Sequence, residues 1–295
     1  MDALEPVRAA DVADGPPEEA IGRLTAEAVG KTYVEQDRSR EVLKDLHLTL
    51  EAGRVTVVMG PSGCGKSCLI NLLAGYEPPT AGRVVLDGRP TAGPGPDRLA
   101  VFQETALFPW LTAFENVAYG PKIRKELKGA QLESAVMELL RLVGLEDFRD
   151  KYPAQLSGGM QRRAELVRAL ANRPKVMLLD EPFRGLDAMT RGLMRDVCLT
   201  IFRRHRGSSL FVTSELDEGL ALADQLAIFT NRPAKVKKLL DVPFERPRTD
   251  QLRSSPAYLA LKAEALELLH EEAVKSFKTG AIESADFVEA YGALA

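Results

Sequence analysis

At 295 residues, 45% apolar and 27% charged, with a net charge of −3, the chain has the make-up of a globular protein with room for one large domain plus appendages. So small a charge excludes a strong basic field for nucleic acid or anionic lipid. No apolar run nears the ~20 residues needed to cross a bilayer, so membrane association is expected only through a protein partner.

Residues 1–23 are rich in Asp, Glu, Ala and Pro and lack a basic stretch followed by an apolar core. They read as a disordered acidic lead-in, not a signal peptide. Residues 22–34 and 46–50 alternate apolar and polar side chains, as half-buried strands do. A turn at 51–53 leads into 54–59, β-branched, nearly continuous and predicted as a buried strand. A loop over 60–65 and a helix over 66–74 follow. Strands are predicted at 83–86 and 99–102, joined by a Gly/Pro-rich segment at 89–96.

The stretch 121–150 reads as mainly helical, with Leu132, Val136, Leu139, Leu140 and Val143 at i, i+3, i+4 spacing. Helix 161–171 is stopped by Pro174. Strand 176–180, helix 189–205, strand 210–213, helix 216–223 and strand 225–230 complete the series. This alternation predicts an α/β fold with a mostly parallel core sheet, interrupted by a helical subdomain at about 110–170. Beyond Pro243 a Pro/Arg stretch gives way to an amphipathic helix at 257–277, an appendage over 246–295. Cys64, Cys68 and Cys198 form no metal or disulfide pattern and read as reduced small side chains.

The strongest motif is Gly60-Pro61-Ser62-Gly63-Cys64-Gly65-Lys66-Ser67, a G-x-x-x-x-G-K-[ST] phosphate loop between a buried strand and a helix that continues with Cys68. Its glycines let backbone N–H groups turn inward around phosphate oxygens, and the helix N-terminus adds positive potential. Lys66 is expected on the β- and γ-phosphates and Ser67 on Mg²⁺. The apolar strand 176–180 delivers Asp180 and Glu181 to the sheet edge where open α/β sheets bind ligands. Asp180 is expected in the Mg²⁺ shell and Glu181 as the base that polarises the attacking water. Two acids after a strand are more often a solvated strand end; the loop at 60–67 favours the functional reading. Together these elements indicate a P-loop NTPase without saying which kind.

The discriminating segment is Leu156-Ser157-Gly158-Gly159-Met160-Gln161, just before a helix, where the chain resembles the ABC ATPases and their LSGGQ signature. A plain helix cap is the bland alternative. Ser157 with the N–H groups of Gly158 and Gly159 would form a second phosphate site, supported by Gln161. Unable to reach its own chain's nucleotide, it would implement a head-to-tail dimer that sandwiches ATP. The resemblance covers about 24–245 and implies a P-loop core sheet, an antiparallel β subdomain and an inserted helical subdomain. It also implies that Tyr33 stacks on adenine, that Gln103 senses Mg²⁺ and the attacking water, and that Asp187 lies in a dimer-contact loop.

One position departs from the pattern. Where the family carries a histidine that bonds the γ-phosphate and the water, this chain has Ser214, and its three histidines, His47, His205 and His270, lie elsewhere. A hydroxyl is shorter than imidazole and never cationic near neutral pH, so slowed hydrolysis with retained binding is expected. Residues 102–112, 116–120, 230–233 and 254–261 resemble import ATPases for nitrate, sulfonate, taurine and related small solutes. The resemblance implies ATP and Mg²⁺, a membrane-spanning permease, a second ATPase chain (identical or related), a solute-binding protein, no nucleic-acid partner, and a peripheral cytoplasmic location at the cell membrane. A weakly hydrolysing regulatory subunit, or the degenerate half of a heterodimeric pair, stays open as the alternative.

Overall fold

The computed structural model describes residues 21–35, 38–246 and 248–278; most of the acidic lead-in and the chain after 278 lie outside the described residues. Two sheets organise the chain. The strands β1 (Leu24–Glu35), β2 (Arg38–Leu50), β4 (Ala81–Leu86) and β5 (Arg89–Pro90) form an antiparallel sheet in the order β2-β1-β4-β5. The second contains β3 (Val55–Met59), β6 (Arg98–Val101), β7 (Val176–Asp180), β8 (Ser208–Val212), β9 (Gln225–Phe229) and β10 (Val236–Asp241), ordered β10-β9-β3-β8-β7-β6. All its neighbours run parallel except the terminal β10–β9 pair.

The continuous apolar strands are explained by burial on both faces. Met177 and Leu179 of β7 join Val57, Met59 and Phe211 in one core, while Val176 and Leu178 join Val58, Leu210 and Val212 in the other. The second core lies between the two sheets and is filled by Leu69, Ile70, Leu72 and Leu73 of α1 (Lys66–Ala74). The first is covered by α4 (Gly158–Ala171), α5 (Ala188–Arg204), α6 (Leu216–Leu222) and the C-terminal α8 (Pro256–Lys278). Tyr258, Ala265 and Leu269 of α8 belong to that core, so the C-terminal helix packs against the sheet layer.

The helical insertion comprises α2 (Ala113–Ile123), α3 (Gly129–Leu142) and the start of α4, with a four-residue α7 (Asp250–Arg253) appearing later. Helix α2 begins eight residues before the expected start at 121, because Thr112 and Glu115 form a capping box there. Pro121 sits inside it, in the last turn. Strand β2 extends well ahead of 46 by pairing with β1, and β10 was not foreseen; both are registered by their neighbours, not by their own alternation.

Candidate nucleotide-hydrolysis site

The end of β3 turns into α1 through a loop that only glycines allow at two points. Gly63 and Gly65 have φ of +69° and +122°, and a Cβ on Gly65 would press on Val42 at 2.9 Å. Pro61 and Cys64 are buried beneath the loop; Ser62 and Gly63 are exposed. Burial raises the Cys64 thiol above its ordinary range, which leaves it protonated and inert. Lys66 donates to the carbonyls of Gly60 (2.9 Å) and Pro61 (3.1 Å), so its ammonium is folded over the loop mouth.

Strand β7 brings Asp180 next to α1, where Ser67 hydrogen-bonds its carboxylate. Burial raises the Asp180 pKa, Ser67 and Lys66 oppose that shift, and Glu181 adds to it. The hydroxyl of Ser67 and the carboxylate of Asp180 are hard oxygen donors that suit Mg²⁺. Among the described residues no cluster of three or more His, Cys, Asp or Glu forms a metal cage, so an ion here would depend on nucleotide oxygens and water. Gln103 lies in the exposed loop after β6 and could complete such a shell.

Glu181 has φ +41°, a conformation that costs a non-glycine residue about 1 kcal/mol or more. It is held there by its N–H on the Val212 carbonyl (3.0 Å) and by the turn that returns Arg184 N–H to its own carbonyl (3.1 Å). The Arg184 guanidinium stands 3.6 Å from the Glu181 carboxylate. Glu181, Ser214, Arg191 and Glu218 border one small cavity. A larger cleft, bordered by Arg89, Arg98 and Lys175, lies at the N-terminal ends of β6 and β7, away from these groups.

None of the three histidines borders the cavity at Ser214. His205 is buried before β8, bonded to Pro174 O (2.8 Å) and Ser209 (3.2 Å); His47 faces Asp45, and His270 is exposed on α8. Ser214 is exposed two residues beyond the end of β8, after buried Thr213. Glu218, buried on α6, bonds Thr213, and desolvation lifts its carboxyl to about 7.

Tyr33 on β1 reaches the nucleotide loop's helix. Its hydroxyl donates to Glu77 (2.8 Å) and contacts Cys68 Sγ (3.6 Å), while Lys31 sits 4.9 Å over the ring. One ring face is thus taken by a cation and the ring orientation is fixed. Ser157 caps α4 by accepting from Met160 N–H (3.3 Å), leaving Gly158 with open space around it. Gln161 spends its amide N–H groups on Pro153 and Leu156 carbonyls, which shapes the turn before α4. Asp187 caps α5 through Met189 and Thr190, and those bonds lower its pKa, that of Thr190 foremost. Both helix ends therefore serve as caps in this chain, whatever they contact in an assembly.

Sequence reasoning overlooked the residues that hold the Gln103 loop. Arg162 of α4 donates to Phe102 O (2.7 Å), to Gln103 O, and to Glu165 (2.7 Å); Glu165 accepts the Ala106 N–H (3.0 Å). Asn116, fully buried, accepts from Phe108 N–H and donates to the carbonyls of Phe108, Leu111 and Thr112. The i, i+3 Arg–Glu spacing on a helix was the available signal for the first group. These bonds wire the helix after the signature to the loop carrying Gln103, and set Phe108, Trp110 and Tyr119 as an aromatic cluster beside it.

A protein-family model described as ABC transporter matches residues 43–184. The chain is 41% identical over 252 residues to a nitrate import ATP-binding protein of Synechococcus elongatus, spanning 84% of this chain and 92% of that one. It is 40% identical over 273 residues to a bicarbonate transport ATP-binding protein of Synechocystis sp. (92% and 97% covered). A taurine import ATP-binding protein of Pseudomonas aeruginosa is 45% identical over 226 residues (77% and 86% covered). Among solved structures, a dimeric post-hydrolysis ATP-binding cassette bound to ADP and Pi superposes with TM-score 0.66 at 28% identity, covering 75% of this chain and all of that one.

Proposed function

The chain belongs to the ATP-hydrolysing, ATP-binding proteins of ABC transporters, and from that membership we propose that it powers import of a small solute of the nitrate, bicarbonate or taurine kind. The observation that carries the site assignment is the meeting of Lys66, Ser67, Asp180 and Glu181 at the C-terminal ends of β3 and β7. On this reading Gly60 to Ser67, with Cys68 in the first turn of α1, form the phosphate cradle. Lys66 exchanges its two loop carbonyls for phosphate oxygens. Ser67, Asp180 and Gln103 hold Mg²⁺, which when bound neutralises charge on the phosphates. Tyr33 stacks on adenine.

Glu181 orients and deprotonates the attacking water, from a main-chain position held by its N–H on Val212 O. Ser214 donates a hydrogen bond toward the same region. Ser157, Gly158, Gly159 and Gln161 from a second chain close over the nucleotide, and Asp187 lies in the same interface. The α2–α4 subdomain and the aromatic cluster beside Gln103 meet the membrane permease from the cytoplasmic side, with a solute-binding protein completing the system. No helix among the described residues is long and apolar enough to cross a membrane, which suits a peripheral subunit. The test is steady-state ATPase activity of the chain reconstituted with its permease, beside Glu181→Gln. Solute-stimulated turnover lost in Glu181→Gln supports the reading; turnover that survives the substitution removes Glu181 from its role.

A further inference from the structure

The segment 230–233 connects β9 to β10 beside the phosphate loop, and two side chains make it more than a connection. Arg232 donates from both Nε (3.1 Å) and Nη2 to the carbonyl of Gly63, inside the loop. The guanidinium also lies 3.1 Å from where a Cβ of Gly63 would be, so it sits directly on the loop. Arg232 is presented by a closed turn: its own N–H bonds the Asn231 side chain (2.7 Å), and Thr230 and Lys235 bond each other across the base. The turn is fastened to β2 through Ala234 N–H on Val42 O (2.8 Å).

The other anchor comes from the C-terminal helix. Glu272 of α8, 2% exposed, accepts the backbone N–H of Asn231 at 2.9 Å. Its second oxygen is held by Lys275 (2.7 Å) and Lys237 (3.0 Å), and Lys237 also pairs with Glu271. These ties pull its pKa below the ordinary value against the opposing effect of burial, so the anchor is a carboxylate. Burying a charge is costly, and these three partners offset that cost at this position.

We propose that Arg232 is a positioning residue for nucleotide binding, and that α8 braces it through Glu272. The physical reason is the rigidity of the peptide unit. The Gly63 carbonyl and the Cys64 N–H share one plane and point in opposite directions. Gripping the carbonyl from outside aims the N–H inward, where it now meets Pro61 O at 3.2 Å within the loop. Gly63 and Gly65, both at positive φ, give the loop unusual freedom to rotate that plane. Arg232 removes the freedom before ligand arrives, which is preorganisation that raises affinity without touching the reacting atoms.

The inference rests on the nucleotide site proposed above, and the experiment separates the two. ATP affinity and steady-state kinetics are measured on the full chain with its permease for wild type, Arg232→Ala, Glu272→Ala, Glu272→Gln, the Arg232→Ala/Glu272→Ala double variant and Lys66→Ala. Arg232→Ala is expected to raise Kd and KM for ATP together by about ten-fold with kcat changed less than about two-fold. Glu272→Ala raises them by about three-fold, and Glu272→Gln, which keeps an oxygen for the Asn231 N–H, falls between it and wild type. The double variant is no worse than Arg232→Ala, because Glu272 acts through Arg232. Glu264→Ala, which breaks a different α8 tie (to Lys238, 2.5 Å), leaves Kd unchanged.

Unchanged affinity in Arg232→Ala, or losses that multiply in the double variant, overturns the inference while the site stands. Equal ATP binding by wild type and Lys66→Ala overturns the site itself. If Glu272→Ala does not fold, Arg232→Ala and Glu272→Gln still decide.

Discussion

Ser214, expected to stand in for a histidine, leaves a hydroxyl and no imidazole at its corner of the site: none of the three histidines borders the Ser214 cavity, and His205 is bonded to Pro174 O. The charged groups that border the same cavity are Glu181, Arg184, Arg191, Glu215 and Glu218, with Arg191 paired to Glu215 at 2.9 Å. Ser214→His is therefore expected to raise kcat, by up to about 10²-fold, with ATP affinity within about two-fold of wild type. Single-turnover hydrolysis measures this, and equal rates would show that the hydroxyl suffices. Glu218 gives a second residue-scale prediction. Its folded pKa, about 7, lies above the unfolded carboxylate value, so the native state holds a proton that the unfolded state releases. Stability on this account is full below about pH 4.5 and falls as pH rises through 7, by on the order of 3 kcal/mol. Glu218→Gln should flatten that slope and raise Tm at pH 8; an unchanged slope from pH 5 to 8 would assign it to other groups.

At the scale of elements, helix α4 does two jobs with successive turns. Its N-terminus carries the signature residues, and its next turn holds the Gln103 loop through Arg162 and Glu165. The pair is buried on both sides, at 6% and 3% side-chain exposure. Removing Arg162 alone leaves a buried carboxylate and exposes two orphaned carbonyls. Arg162→Ala should lose about 3–5 kcal/mol in urea unfolding, and Glu165→Ala added to it should restore part of that loss. Asn116 plays the same part for the aromatic loop. Asn116→Ala leaves several buried groups unpaired and should cost about 1–3 kcal/mol, with a selective loss of permease-stimulated over basal ATPase activity.

At the scale of the whole molecule, the glycine loop and the Ser157-Gly158-Gly159 helix start belong to different layers. The loop at 60–65 lies between β3 and α1, whereas the signature begins α4, which packs on α2, α3, α5 and β6. A second chain is the economical way to join them, as in the dimeric cassette this chain resembles. With ATP, the Glu181→Gln variant should accumulate as a dimer by analytical ultracentrifugation, because binding proceeds and hydrolysis does not. Lys66→Ala should remain monomeric; a dimer indifferent to nucleotide would contradict the sandwich.

The phosphate loop, the Asp180-Glu181 strand end, the signature and the alternating core were legible in the sequence because each is local. A run of glycines, a buried strand and a helix start fix their chemistry within about ten residues of chain. The α/β architecture followed from the same alternation. Other features depended on pairs distant in sequence: Arg232 with Gly63, Glu272 with Asn231, and Arg162 with the 102–106 loop. So did β10, which has no pattern of its own and exists because β9 offers an edge. Buried polar groups take whichever partner the packing brings within reach, and packing is set by the whole chain at once. Sequence determined which chemistry this protein carries; tertiary structure alone decided what holds that chemistry in place.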